Sequence, residues 1–178
     1  VLVGVDGSSN SFAAVEFVAR LLSPDHDALV LLFATPDITF GDDQLDPTIE
    51  ERARAALGRA VLDATTERLP EVWRDRVTKR DVAGAASARL LEAIDEERAD
   101  LIALGFRGTS GIVEEFVQGS VSRTVVLSAK IPVLVVKSAA ATEAPAKQSP
   151  GPVTRHVHVL TAYDDAAFAE RAAAVLSQ

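Results

Sequence analysis

Residues 99–137 read ADLIALGFRGTSGIVEEFVQGSVSRTVVLSAKIPVLVVK. Leu101-Ile102-Ala103-Leu104 is an apolar run too short for a buried helix, and reads as a strand covered on both faces. A loop follows with glycines at Gly105, Gly108, Gly111 and Gly119. Val121, Val125 and Ala129 then recur at helical spacing. Pro132 to Val136 closes the stretch as a second apolar strand, also expected to be buried. Strand, glycine loop, helix and strand form one βαβ unit. The loop leaves the carboxyl end of a strand and enters the amino end of a helix. There unpaired backbone N–H groups and the helix dipole favour an anion, usually a phosphate. Glycines let the backbone approach such a group closely, and Ser120 and Ser122 add hydroxyl donors.

Outward from this stretch the chain repeats the same alternation. Val1 to Val5 is a strand ending in the turn Asp6-Gly7-Ser8-Ser9. Phe12, Val15, Ala19 and Leu22 mark a helix, with Ser9 or Asn10 as the expected N-cap. Ala28 to Ala34 is a second strand. Thr35 to Asp46 is polar and reads as a loop over the carboxyl edge of the sheet. Pro47 suits a first helical position. Ile49, Ala53, Ala56 and Ala60 mark one apolar face of a long helix ending near Leu69-Pro70. Val77 to Val82, interrupted by Lys79, Arg80 and Asp81, predicts an edge strand. A helix follows, carrying Leu90, Ala93 and Ile94 inward and Glu92, Asp95, Glu96 and Arg98 toward water. Five strands alternating with four helices predict an α/β, doubly wound parallel sheet over residues 1–137.

The chain of 178 residues is 48% apolar, long enough for one such domain with a substantial core. Its net charge of −8 offers no basic surface for duplex nucleic acid. Without cysteine there is no thiol or disulfide chemistry, which fits a reducing compartment. No signal peptide and no apolar run long enough to span a bilayer as a helix is visible. The sequence begins at Val1 inside a strand, as expected of a piece trimmed from a longer product.

Val5-Asp6-Gly7-Ser8, Gly105-Phe106-Arg107-Gly108 and Gly119-Ser120-Val121-Ser122 together resemble the universal stress protein family. That family carries G-x-x-G, nine residues, then G-[S/T]. Here ten residues separate Gly108 from Gly119, one more than the pattern. The resemblance covers about three quarters of the chain and implies a Rossmann-like sheet of five strands in the order 3-2-1-4-5. Strands 1 and 4 are then neighbours, and Asp6 meets the glycine loop at the topological switch point, where open α/β sheets bind ligands. It also implies a cytoplasmic regulator of stress tolerance that binds an adenine nucleotide, ATP (with Mg²⁺ as a further option) or AMP, and dimerises through its fifth strand. Carried over residue by residue, Asp6 contacts the adenine and the backbone of Ala34 reads the base. Gly105, Arg107 and Gly108 line the ribose and phosphates. Gly119, Ser120, Val121 and Ser122 hold the outer phosphates. Turnover is expected to be slow ATP hydrolysis at most, since no activated general base is evident.

The residues alone leave alternatives open. A carboxylate at Asp6 can instead hold backbone N–H groups in its own turn. Glu114 and Glu115 lie within the glycine loop. Facing a triphosphate at about 5 Å, each would repel it by roughly 1 kcal/mol at high effective dielectric; as a charge run they form a solvated face. Two other readings are a nucleotide-free dimeric interaction module and a regulatory appendage of a larger enzyme or transporter. His156 and His158 share one face of a strand-like run, but no third ligand pattern accompanies them. His26 reads as loop. No Gly-Lys-[Ser/Thr] completes a P-loop. Residues 138–153 are rich in small residues and proline and read as a flexible linker. Residues 154–178 predict a strand and helix that weakly repeat residues 1–22, which leaves two readings open: a remnant of a second copy, or an unrelated strand and helix.

Overall fold

A computed structural model describes residues 1–35, 47–106 and 120–137. They belong to Val1–Ser138, the first of two units into which the chain divides. The linker expected at 138–153 and the tail at 154–178 lie outside the described residues, as do Glu114, Glu115, His156 and His158. The elements run β1 (Leu2–Val5), α1 (Ser9–Leu21), β2 (Val30–Thr35), α2 (Pro47–Glu67), α3 (Glu71–Arg74), β3 (Thr78–Ala83), α4 (Ala86–Glu96), β4 (Ile102–Gly105), α5 (Ser120–Ser128) and β5 (Val133–Val136). The strands pair in parallel in the order β3-β2-β1-β4-β5. Thr78, Val30, Leu2, Ile102 and Val133 stand in one row across the sheet. The strands therefore start level, and the carboxyl ends of β1, β2 and β4 reach one edge.

Alternation along each strand sends side chains to two cores. Val3 and Val5 of β1 join Leu31 and Phe33 of β2 against Val15 and Val18 of α1, Leu62 of α2 and Trp73 of α3. On the other face Leu2, Leu32, Ile102 and Leu104 meet Leu90, Ala93 and Ile94 of α4 and Val125 of α5. Buried side chains of this kind contribute about 1.5–3 kcal/mol each. β4, as expected, is covered on both faces.

The structure departs from the sequence reading in four places. The N-cap of α1 is Ser8, whose side chain accepts from the Ser11 N–H, not Ser9 or Asn10. α2 turns its alanine-marked face outward: its buried residues are Gly58, Leu62, Thr65 and Thr66, and Ala53, Ala56 and Ala60 are exposed. The Thr65 and Thr66 hydroxyls satisfy themselves on the carbonyls of Val61 and Leu62. α3 was not expected; its Trp73 is buried and donates from Nε1 to the Ala19 carbonyl at 3.2 Å. Finally, β5 is only half-buried at all four positions, because it forms the outer edge of the sheet. β3, at the other edge, is exposed and charged as predicted. Its Lys79 pairs with Asp63, and its Arg80 with Glu96 and Glu97, which hold that guanidinium above its ordinary pKa.

Candidate nucleotide site at the sheet switch point

β1 lies between β2 and β4, so the chain leaves β1 upward to α1 beside the end of β4. Asp6 is the first residue past β1. Its Oδ1 accepts from the Ser8 N–H at 3.0 Å, and its own N–H donates to Ser11 Oγ at 3.4 Å. Ser11 Oγ in turn donates to the Ser8 carbonyl at 2.9 Å, and the Ser11 N–H donates to Ser8 Oγ at 3.2 Å. Gly7 holds φ +79°, the left-handed conformation that glycine adopts without strain, and lets the turn fold back under Ser8. The result is a rigid Asx turn feeding the first helical turn of α1. One carboxylate stands at the strand end and is half-buried.

Gly105 ends β4 against that same helical turn. A Cβ placed there would lie 2.7 Å from the Asn10 carbonyl carbon and from the Ser11 nitrogen. Only a glycine fits this approach. It brings the backbone leaving β4 into contact with the amino end of α1, the positive end of that helix's dipole. Phe106 extends the ladder by donating its N–H to the Val136 carbonyl at 2.8 Å. Ser122, buried in α5, donates from Oγ to the Phe106 carbonyl at 3.4 Å, tying the start of α5 to the end of β4. Val121 packs half-buried on the core beneath, as does Ala34 at the end of β2.

Of the residues singled out in the sequence, Asp6, Ala34 and Gly105 thus stand at the carboxyl ends of three adjacent strands. Val121 and Ser122 lie in the first turn of α5. Ser120 opens that helix; its side chain is outside the described residues, as are Arg107, Gly108 and Gly119. His26 falls in the turn after α1, as read.

Four neighbours escaped the sequence reading. Thr35, the last residue of β2, is buried, and its hydroxyl lies 3.3 Å from Asp81 Oδ1 of β3. The Thr35 carbonyl accepts from the Gly84 N–H at 2.9 Å. Asp81 rests against Gly58 of α2, where an added Cβ would fall 2.0 Å from Oδ2. These contacts fix the end of β2 from a distance of 23 to 49 residues, and no local pattern announces them. Among the described residues no group of three or more His, Cys, Asp or Glu could hold a metal ion. Nor is any helix among them long and apolar enough to cross a membrane.

A sequence profile of the universal stress protein family matches residues 1–137. The chain belongs to the universal stress protein family. Universal stress protein Rv1636 of Mycobacterium tuberculosis is 32% identical over 139 residues, spanning 76% of this chain and 94% of that protein. Universal stress protein UspA of Lactobacillus plantarum has the same fold, with a TM-score of 0.62 and 25% identity over 76% of this chain and 94% of its own. A universal stress protein solved in complex with cAMP matches with a TM-score of 0.58 and 28% identity, over 76% of this chain and 94% of that one.

Proposed function

We propose that this universal stress protein domain is a cytoplasmic stress-response regulator that binds an adenine nucleotide, ATP or AMP, where β1 and β4 meet. The observation that carries this reading is the contact of Gly105 with the first turn of α1, next to the Asp6 carboxylate. It sets glycine backbone and the positive end of the α1 dipole beside an acceptor, the pairing that a phosphate and a ribose or adenine donor require. The similarity to a protein solved with cAMP supports the same ligand class. In this reading Asp6 accepts from the nucleoside, and the backbone of Ala34 reads the base edge. Gly105, Arg107 and Gly108 follow the ribose and phosphates. Gly119, Ser120, Val121 and Ser122 hold the outer phosphates. The domain acts by binding; hydrolysis is at most slow.

Calorimetric titration with ATP, ADP, AMP and cAMP, with and without Mg²⁺, tests the proposal. Saturable binding that is lost with guanine nucleotides supports it. Binding of none of them overturns it in favour of a nucleotide-free interaction module, for which the half-buried apolar edge at β5 already speaks.

A further inference from the structure

The first half of α2 carries an apolar face that nothing among the described residues covers. Ile49 is 54% exposed and Leu57 45%, and Ala53, Ala56 and Ala60 are exposed between and beyond them. These positions recur at i, i+4, i+7, i+8 and i+11, so they form one stripe along the helix. The buried residues of α2, Gly58, Leu62, Thr65 and Thr66, lie on the opposite side. The stripe is therefore a second amphipathic face, not the margin of the core. Arg52 and Arg59 flank it on one side, both exposed. Seven residues apart, they stand about 10.5 Å from each other along the axis. Lys79, Arg80 and Arg89 each hold a carboxylate. Among the described residues, Arg52 and Arg59 hold none.

We propose that this face docks an acidic amphipathic helix of another protein. The three alanines let a partner helix approach closely and receive its bulky apolar side chains, while Ile49 and Leu57 supply the knobs. The two arginines call for two carboxylates one heptad apart on the flank of the partner. A second copy of the chain does not meet that requirement. In a parallel pair Arg52 would face Arg52, and in an antiparallel pair it would face Arg59, so like charges meet either way. A lipid surface suits the stripe poorly, since alanine dominates it and no aromatic residue anchors it.

The test uses the full chain and two synthetic helical peptides of four heptads. Both have leucine at the seam positions; one has glutamate at the flanks and the other lysine, so that like charges keep each peptide from pairing with itself. Fluorescence anisotropy should show the glutamate peptide binding with a Kd of about tens of micromolar and the lysine peptide at least tenfold more weakly. Ala56→Glu, on an exposed helical position, should abolish binding with the fold intact by circular dichroism. The double change Arg52→Glu, Arg59→Glu should reverse the preference toward the lysine peptide. No binding of the glutamate peptide at millimolar concentration overturns the proposal, as does equal binding of both peptides or a charge reversal without effect. Self-association that Ala56→Glu abolishes would overturn it too, by assigning the face to a second copy.

Discussion

Asp6 holds one job in the structure and a second in the proposed function, and the two separate experimentally. Its Oδ1 accepts from the Ser8 N–H and stiffens the turn; the nucleotide reading adds an acceptor role toward ligand. Asp6→Ala removes both. It should lower stability by about 1 kcal/mol and weaken nucleotide binding by about 1.5–3 kcal/mol, roughly ten- to a hundredfold. Asp6→Asn keeps a neutral acceptor for the turn. It should leave the urea midpoint within about 0.5 kcal/mol of wild type yet still weaken binding, because the charge is gone. Unchanged affinity in Asp6→Ala alongside lost stability would mean the carboxylate serves the turn alone. This residue was legible in the sequence because a short apolar run ending in Asp-Gly-Ser leaves few conformations open. The cap was misread by one or two positions, Ser8 instead of Ser9 or Asn10. Three consecutive hydroxyl or amide side chains each satisfy the local rule. In the structure Gly105 packs against Asn10 and Ser11, which lie inside the first turn.

At the scale of elements, α2 is where reading and structure part most. Ile49, Ala53, Ala56 and Ala60 and the true inner set of Gly58, Leu62, Thr65 and Thr66 are both spaced for a helix face. An alanine-rich helix is nearly as apolar on either side, and the sheet chose the side that packs. What it chose was a glycine, because Asp81 occupies the space a side chain would need. That contact predicts a change of sign. Gly58→Ala alone should raise helix propensity by about 0.5–1 kcal/mol. The new methyl, however, displaces Asp81 from Thr35 and strands a buried hydroxyl, which costs about 1–3 kcal/mol. The net should be destabilising by about 1 kcal/mol. In an Asp81→Ala background the obstacle is absent, and the same change should stabilise by about 0.5–1 kcal/mol. Urea unfolding of the four proteins decides; additive effects would show that Asp81 does not gate the position. By contrast, β1, β4 and their glycine turn were legible from residues alone, since a strand buried on both faces leaves an unbroken apolar run. The four-residue α3 was not, as a single helical turn carries no period to detect.

For the whole molecule, the two edges of the sheet are defended differently. β3 is exposed and charged, its Lys79 and Arg80 engaged in ion pairs. β5 is apolar, half-buried and bare of charge from Val133 to Val136. An edge of the second kind invites another strand. We expect a homodimer built on β5. Val135→Lys places a charge in that contact and should shift the protein to monomer, while truncation after Ser138 should leave the dimer intact. Sedimentation equilibrium at tens of micromolar reads both. A wild type that is monomeric there, or a truncation that turns a monomer into a dimer, removes β5 as the dimer contact. The strand order and both edges were legible, the order through the family resemblance and the β3 edge through its interrupting charges. The half-burial of β5 was not, because the same apolar run serves a strand inside a sheet and one waiting at its border.

Trp73 is the only tryptophan of the chain, and its indole is locked between α1 and the sheet with Nε1 on the Ala19 carbonyl. Ala19 belongs to the last turns of α1, the end away from Asp6 and Gly105. The protein thus carries a built-in optical label placed at the wrong end for the proposed ligand and the right end for its fold. Intrinsic emission should sit at short wavelength, shift to the red in a single step on denaturation, and stay flat through a nucleotide titration.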